Sequence, residues 1–192
     1  MTPEIPEPLR VALLVVAALD ELGIQYQIGG SFASSIHGVP RQTQDIDLIA
    51  ALPAHLVEAL AARLEGEFYV DRDTVREAVR DHRSFNAIHV SSGFKVDVFI
   101  RGEGAFDLED FSRRTRLRIQ SEPLREVNIE SAEDTVLRKL LWYRAGGEVS
   151  ERQWADVVGV LHTSADRLDH QYMLHWAEVL GVSDLLARAL DA

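Results

Sequence analysis

Asp45-Ile46-Asp47 opens residues 45–52, a strand-like run in which the two aspartates are almost the only polar side chains. Because side chains at positions i and i+2 of a strand project to the same face, the two carboxylates are expected to lie side by side. Two like charges at this distance are costly unless a cation neutralises them, and Mg²⁺ prefers carboxylate oxygens as ligands. The pair predicts a metal site, although an Asp-x-Asp alone also arises by chance.

A third aspartate, Asp97, lies inside residues 94–100, a largely apolar strand that is predicted to form a hairpin with residues 84–90. An unpaired carboxylate in an apolar strand is unfavourable, so Asp97 needs a partner. A metal shared with the two earlier aspartates is one such partner. The alternative is a salt bridge to Lys95 or to a nearby arginine at a strand edge.

Gly29-Gly30-Ser31 connects a predicted strand, residues 24–28, to a short predicted helix, residues 31–37. Gly38 ends this helix in the position where a left-handed residue is common. Glycines permit close backbone approach, and a helix N-terminus directs free N–H groups and a positive dipole end outward. These features suit a phosphate, to which the Ser31 hydroxyl adds a hydrogen bond, so Gly29, Gly30 and Ser31 are candidate nucleotide-binding residues. Simple turn geometry is the alternative.

Three further residues are candidates for nucleotide binding. Arg41, just ahead of the metal strand, has the fork of donors that binds a phosphate or balances the carboxylates, whereas the alternative is a surface loop arginine. Thr43 orients the same loop by hydrogen bonding. Lys139, on the first C-terminal helix, lines the nucleotide cleft or is an ordinary solvated lysine.

Strands and helices are mixed up to about residue 130, and only helices follow. The predicted strands are residues 24–28, 45–52, 68–70, 84–90, 94–100, 114–119 and 124–129, the last two forming a hairpin around residues 121–123. The predicted helices are residues 8–22, 31–37, 53–64, 73–80, a short one from residue 106, 131–145, 151–162, 167–180 and 183–190. The sequence therefore predicts an α+β fold: a small mixed β-sheet flanked by helices in a domain of residues 1–130, followed by a C-terminal helical bundle of residues 131–192 packed on it.

Composition restricts the class of protein. The chain has 192 residues, 46% of them hydrophobic, which is enough for one substantial core. It has no cysteine, which excludes disulfides, a thiolate nucleophile and a Cys-based zinc site. No run of eighteen apolar residues and no basic leader is present, so we expect a cytoplasmic protein that is not associated with a membrane.

The formal net charge of −11 opposes broad attraction to nucleic acid, because such binding depends on neutralising phosphates with Lys and Arg. A local exception is a run of arginines: Arg113, Arg114, Arg116 and Arg118. This run predicts either a basic groove for RNA or a solvated edge strand.

Together, Gly29-Gly30-Ser31, the segment Arg41-x-Thr43-x-Asp45-Ile46-Asp47 and the later strand with Asp97 resemble the nucleotidyltransferase superfamily, which includes DNA polymerase β and the antibiotic nucleotidyltransferases. The spacing is similar to that of the small bacterial branch around the AbiEii-type abortive-infection toxins. Residues that resemble this branch's helical signature are Asp134, Lys139, Arg144, Arg152 and Asp156. Gly146-Gly147 and Trp154 depart from it.

The resemblance implies a nucleotidyltransferase-like fold and an enzyme that moves a nucleoside monophosphate from a nucleoside triphosphate, such as ATP, to an acceptor hydroxyl. It implies two Mg²⁺ ions, with Asp45 and Asp47 binding both and Asp97 binding one of them while accepting the proton of the attacking hydroxyl. The acceptor is an RNA 3′ end, a protein or a small molecule. The alternative is a catalytically inactive nucleotide-binding protein, or one component of a toxin–antitoxin pair with a partner protein.

Overall fold

The structure is a computed structural model and describes residues 5–43, 45–120 and 125–192. The strands are β1 (Tyr26–Ile28), β2 (Ile46–Ala50), β3 (Phe68–Tyr69), β4 (Ser84–His89), β5 (Lys95–Ile100), β6 (Thr115–Gln120) and β7 (Arg125–Ile129). The helices are α1 (Glu7–Glu21), α2 (Gly30–His37), α3 (Val57–Leu64), α4 (Arg72–Asp81), α5 (Ala105–Arg113), α6 (Ala132–Ala145), α7 (Glu151–Ser164), α8 (His170–Val179) and α9 (Ser183–Leu190). Short 3₁₀ helices occur at Ala54–Leu56 and Ala165–Arg167. Within the described ranges, no helix combines the length and apolar character needed to cross a membrane.

These strands form one mixed sheet in the order β3-β4-β5-β2-β1-β7-β6. β2 pairs with β5, and β1 with β7, in parallel, whereas the other neighbouring pairs are antiparallel. The predicted α+β class, with a mixed sheet and flanking helices, is confirmed.

One face of the sheet is packed against helices. Its buried residues on the two central strands are Ile46, Leu48 and Ala50 of β2, and Val96, Val98 and Ile100 of β5. Helix α1 packs on β2, β5 and α3, and its Val15 and Leu19 have no exposed surface. Because side chains alternate along a strand, the residues between the buried ones turn to the opposite face. That opposite face carries Asp47 and Asp97, and we call it the acid face.

The chain divides into two compact units. The sheet unit takes its described residues from Met1–Ile28 and Thr43–Ile129, and the helical unit from Gly29–Gln42 and Glu130–Ala192. A single boundary after residue 130 does not describe this division. Helix α2 belongs with the C-terminal helices because it packs on α6 and α7, a tertiary contact that no local sequence pattern reveals.

Gly38 allows the close packing of α2 on α7. We predicted a left-handed residue at this helix end, and that prediction is wrong, because Gly38 has a φ of −126°. A Cβ atom at Gly38 would lie 2.8 Å from the backbone nitrogen of Val160 and 2.9 Å from the carbonyl carbon of Gly159. The glycine is therefore needed for the approach of two backbones rather than for its own dihedral angles.

Replacing Gly38 by Ala is expected to destabilise the protein by about 1–3 kcal/mol, because the added methyl group pushes two backbone segments apart. Urea unfolding followed by circular dichroism measures the change. Gly146→Ala is the matched control, since its φ is −83° and the nearest atom to its Cβ would lie at 3.3 Å. We expect a smaller loss there, and equal stability of Gly38→Ala and the wild type would contradict the close approach.

Most element ends lie within a few residues of their predicted positions. Helix α4 begins at Arg72 rather than at residue 73, and Asp71 caps it, its side chain accepting a hydrogen bond of 2.7 Å from the Thr74 backbone N–H. Ser131 caps α6, its side chain accepting a hydrogen bond of 3.1 Å from the Asp134 backbone N–H. The predicted turn at residues 121–123 lies outside the described residues.

Candidate active site

Asp47 and Asp97 occupy paired positions on neighbouring strands. In the parallel β2–β5 pair, Asp47 lies opposite Asp97, and residues paired in this way sit ~4.8 Å apart on the same face of a sheet. Asp45 directly precedes β2, two positions before Asp47. Asp45 is exposed, Asp47 is half-buried, and the Asp97 side chain keeps 17% of its surface exposed. The three predicted metal ligands therefore come from one strand pair in the sheet unit.

Lys95 adds a positive charge to this group of acids. Its Nζ lies 2.8 Å from Asp97 Oδ2, and it projects to the acid face because it precedes Asp97 by two positions on β5. The hydrogen bond to Asp97 raises the pKa of Lys95, burial opposes this, and the charges of Asp97, Asp45 and Asp47 add to the rise. The salt bridge that we gave as the alternative partner of Asp97 is therefore present.

The donor set suits Mg²⁺ in its chemistry. Mg²⁺ in nucleotide sites takes one or two carboxylates and completes its shell with water and phosphates, and Asp45, Asp47 and Asp97 supply carboxylate oxygens. Among the residues that the structure describes, no three His, Asp or Glu side chains are already arranged as a metal cage.

Asn86 is a further polar residue beside the acids, and no sequence pattern singles it out. It lies opposite Asp97 in the antiparallel β4–β5 pair and is exposed. Its neighbours Phe85 and Ala87 are buried, so the strand alternates as expected and turns the Asn86 amide to the acid face. The predicted hairpin did not fix its register, and only the register shows which residue stands beside Asp97.

Gly29-Gly30-Ser31 forms the N-terminus of α2 in the helical unit. Gly29 is the N-cap residue, and Gly30 has a φ of +59°, a value that favours glycine. The first N–H groups of a helix have no partner within the helix, so they are directed outward at this turn. The phosphate-binding role of this turn stays a prediction.

Asp156 brings the predicted nucleotide-binding side chains of the helical unit together. Arg41 Nε lies 2.9 Å from Asp156 Oδ1, and Arg41 Nη2 lies 2.8 Å from Oδ2. Lys139 Nζ lies 2.9 Å from the same Oδ2. Arg41 Nη2 also donates to Ser31 Oγ at 2.7 Å, and Arg152 Nη2 reaches the same hydroxyl at 3.5 Å. We call these five residues the Asp156 cluster.

The Asp156 cluster carries net positive charge, and its centre, Lys139 with the Asp156 carboxylate, is largely screened from water, whereas Arg152 is exposed. Lys139 is buried, and the Asp156 side chain is only 9% exposed. Burial raises the pKa of Asp156, but hydrogen bonds from Arg41 and Lys139 outweigh burial and leave this pKa lowered. The hydrogen bond between Arg41 and Asp156 raises the pKa of Arg41. Lys139 is therefore not an ordinary solvated lysine, and Arg41 is a partly exposed loop residue whose guanidinium is held by Asp156.

Other members of the predicted helical signature have different partners. Asp134 accepts hydrogen bonds from Ser131 Oγ at 2.5 Å and from the Tyr172 hydroxyl at 2.6 Å. Arg144 donates to Asp184 at 2.6 Å. These two residues tie α6 to its cap and to the following helices. In the sheet unit, Thr43 Oγ1 donates to the Asp45 carbonyl at 2.8 Å and so holds the loop that precedes β2.

The run of arginines lies at the end of the sheet order. Arg116 and Arg118 on β6 approach one acid, Glu126 on β7, at 3.8 and 3.9 Å. The Arg114 guanidinium lies 4.6 Å from the centre of the Phe111 ring. These contacts agree with a solvated edge strand better than with a basic groove, because a shared carboxylate offsets part of the charge.

No known family model matches the chain, and no curated protein sequence matches it. Solved structures do match. The antibiotic-resistance factor ANT(2'')-Ia superimposes with a TM-score of 0.56 at 18% identity, covering 93% of this chain and 91% of that chain. An antigenic nucleotidyltransferase-like protein from Paracoccidioides brasiliensis gives 0.55 at 19% identity, with 95% and 92% covered. The lincosamide antibiotic adenylyltransferase LnuA gives 0.53 at 11% identity, with 82% and 98% covered.

The chain therefore has the fold of the nucleotidyltransferases. The resemblance seen in the sequence is confirmed at the level of the fold, and the narrower similarity to AbiEii-type toxins stays a prediction.

Proposed function

We propose that the protein is a Mg²⁺-dependent nucleotidyltransferase that moves a nucleoside monophosphate from a nucleoside triphosphate to an acceptor hydroxyl. The observation that carries this proposal is the register of β2 and β5, which puts Asp47 beside Asp97 on the acid face, with Asp45 two positions earlier. Two acids in register on one face are unfavourable in an ordinary sheet, and they are what a cation site requires. The fold supports the same class of chemistry.

The acids have separate roles in this proposal. Asp45 and Asp47 would hold two Mg²⁺ ions, and Asp97 would hold one of them. Bound there, the ions supply charge stabilisation to the entering and leaving oxygens of an in-line displacement. Asp97 accepts the proton of the acceptor hydroxyl at a carboxylate oxygen. Asn86, beside Asp97, offers its amide to the acceptor as a hydrogen-bonding group.

The nucleotide-binding roles are proposed for Gly29, Gly30, Ser31, Arg41, Thr43 and Lys139. The α2 N-terminus donates backbone N–H groups to phosphate oxygens, and the Asp156 cluster adds the charged donors of Arg41 and Lys139. In the reaction, a bond forms between the acceptor oxygen and the α-phosphorus, and the bond between that phosphorus and the bridging oxygen to the β-phosphorus breaks. Pyrophosphate leaves with the released electron pair.

The acceptor in this proposal is a small molecule, a protein hydroxyl or an RNA 3′ end. The ANT(2'')-Ia and LnuA structures contain adenylyl-2''-tobramycin and lincomycin. A small molecule or a protein hydroxyl is favoured over a long RNA for two reasons. The net charge is −11, and Glu126 offsets part of the charge of Arg116 and Arg118.

A labelling experiment tests the proposal. Each of the four α-³²P nucleoside triphosphates is incubated with the protein and Mg²⁺, in turn with an aminoglycoside and lincosamide mixture, a protein extract and total tRNA. Covalent label on one class that disappears in EDTA supports the proposal and names the acceptor class. Mg²⁺-dependent nucleotide binding without label would support the alternative, an inactive nucleotide-binding or toxin–antitoxin component. If the protein showed neither nucleotide binding nor label transfer, both the proposed activity and this alternative would be overturned.

A further inference from the structure

Lys95 is a cation built into the acid face. Its Nζ lies 2.8 Å from Asp97 Oδ2, and the charges of Asp45 and Asp47 attract it as well. The pairing of β2 with β5 begins at Ile46 and Val96, so Asp45 and Lys95 directly precede it on the two strands. Strand register therefore places Lys95 beside Asp45 and two positions before Asp97.

Because of this placement, the Lys95 ammonium and a divalent metal ion would compete for the Asp97 carboxylate. Asp47 and Asp97 face each other across two strands, and like charges in that arrangement repel unless a cation lies near. The Lys95 ammonium meets this need in part. A divalent ion on Asp97 meets it better, but an ammonium and a metal ion repel one another at this distance.

We propose that Lys95 is an internal counterion, which holds the Asp97 carboxylate in the metal-free protein and is displaced when Mg²⁺ binds. The inference rests on the proposed function, because it takes Asp45, Asp47 and Asp97 as the metal ligands. Lys95 is then a positioning residue that keeps the acid face ordered and sets the metal concentration at which the site fills. Its side chain is 38% exposed and has a flexible four-carbon stem, so the ammonium can swing into water.

Metal binding by the nucleotide-free protein tests the role of Lys95, with Mn²⁺ as the probe and the electron paramagnetic resonance signal of free Mn²⁺ as the readout. Lys95→Met is expected to tighten Mn²⁺ binding roughly tenfold, the size of the repulsion between a divalent and a monovalent cation a few ångströms apart in water. Lys95→Arg keeps the charge and should stay near the wild-type affinity.

Arg63→Met is the matched control for net charge. Arg63 forms an exposed salt bridge with Glu21 in the same unit, so this variant removes one cation away from the acids. Its Mn²⁺ affinity is expected to equal that of the wild type.

Thermal unfolding gives a second readout. Loss of an ordinary surface ion pair would not change Tm in a way that depends on the metal. In EDTA, Lys95→Met is expected to have a lower Tm than the wild type, because the acids then lack their counterion. Saturating Mn²⁺ should remove that difference. In an Asp97→Asn background, Lys95→Met should lower the Tm in EDTA by less than it does alone, since the two residues are coupled.

The outcomes separate this inference from the proposed function. Equal or weaker Mn²⁺ affinity of Lys95→Met, together with binding that Asp47→Asn abolishes, would overturn the role of Lys95 and leave the metal site standing. Mn²⁺ binding by neither the wild type nor Lys95→Met would overturn both proposals, because the acid face would then hold no metal.

Discussion

Replacing Asp47 by Asn is expected to lower nucleotidyl transfer by roughly 10³-fold or more while the fold stays intact. The variant removes one negative charge from the residue proposed to bind both metal ions, and bound metals contribute several kcal/mol of charge stabilisation, with every ~1.4 kcal/mol worth a factor of ten. Asn has the same shape as Asp, and Asp47 lies on the acid face rather than in the packed core. Label transfer from α-³²P nucleoside triphosphate measures activity, and circular dichroism measures the fold.

Asp73→Asn is the matched control for this loss. It makes the same chemical change on α4 of the same unit, at a side chain that is 85% exposed. Its transfer rate is expected to equal that of the wild type. Wild-type transfer by Asp47→Asn would contradict a mechanism in which two metals are held by this strand.

Replacing Asp156 by Asn is expected to destabilise the protein by about 3 kcal/mol, because two cations then lose the carboxylate that they share. Arg41 and Lys139 lie 2.8 and 2.9 Å from Asp156 Oδ2. In a chain of this size, the loss corresponds to a Tm lowered by roughly 6–12 °C. Thermal unfolding followed by circular dichroism measures it.

Asp184→Asn is the control for Asp156. Asp184 also pairs with an arginine of the helical unit, Arg144, but its side chain is 71% exposed. Exposed ion pairs contribute little, so we expect no resolvable change in Tm. If both variants unfolded at the wild-type temperature, the Asp156 cluster would not be the stabilising feature that its burial indicates.

Lowering the pH tests the Asp156 cluster by protonating the Asp156 carboxylate. Burial raises the pKa of Asp156, but hydrogen bonds from Arg41 and Lys139 leave it below the ordinary value of 3.8. The stability that this carboxylate contributes is therefore fully present above pH 3.8 and is lost as the pH falls through the lowered folded pKa. The stability difference between the wild type and Asp156→Asn should accordingly shrink in that acidic window.

The sequence predicted what depends on local pattern. The apolar runs of residues 45–52 and 94–100 predicted the strands that carry Asp47 and Asp97, and glycine chemistry predicted a strand-to-helix turn at Gly29-Gly30. The start of α6 was predicted to within one residue, because its cap, Ser131, involves only neighbouring residues. These predicted strands, turns and helix starts are present in the structure, and their first and last residues differ from the predicted ones by only a few positions.

Features that depend on distant contacts could not be derived from local pattern. The pairing of Asp47 with Asp97, and of Asp97 with Asn86, is set by strand register, which no single strand encodes. Arg41 and Lys139 were treated as separate candidates, since nothing in the spacing shows that Asp156 joins them. For the same reason, the sequence placed residues 29–42 with the sheet, whereas packing on α6 and α7 places them in the helical unit.

Calorimetric titration of the four nucleoside triphosphates, with and without Mg²⁺, tests the metal-dependent nucleotide site most directly. The wild type is compared with the double variant Asp45→Asn/Asp47→Asn. We predict that one or more triphosphates bind the wild type only when Mg²⁺ is present, and that this binding disappears in the double variant. Binding of equal strength without the metal, or in the double variant, would contradict a site in which these acids hold Mg²⁺ for the nucleotide.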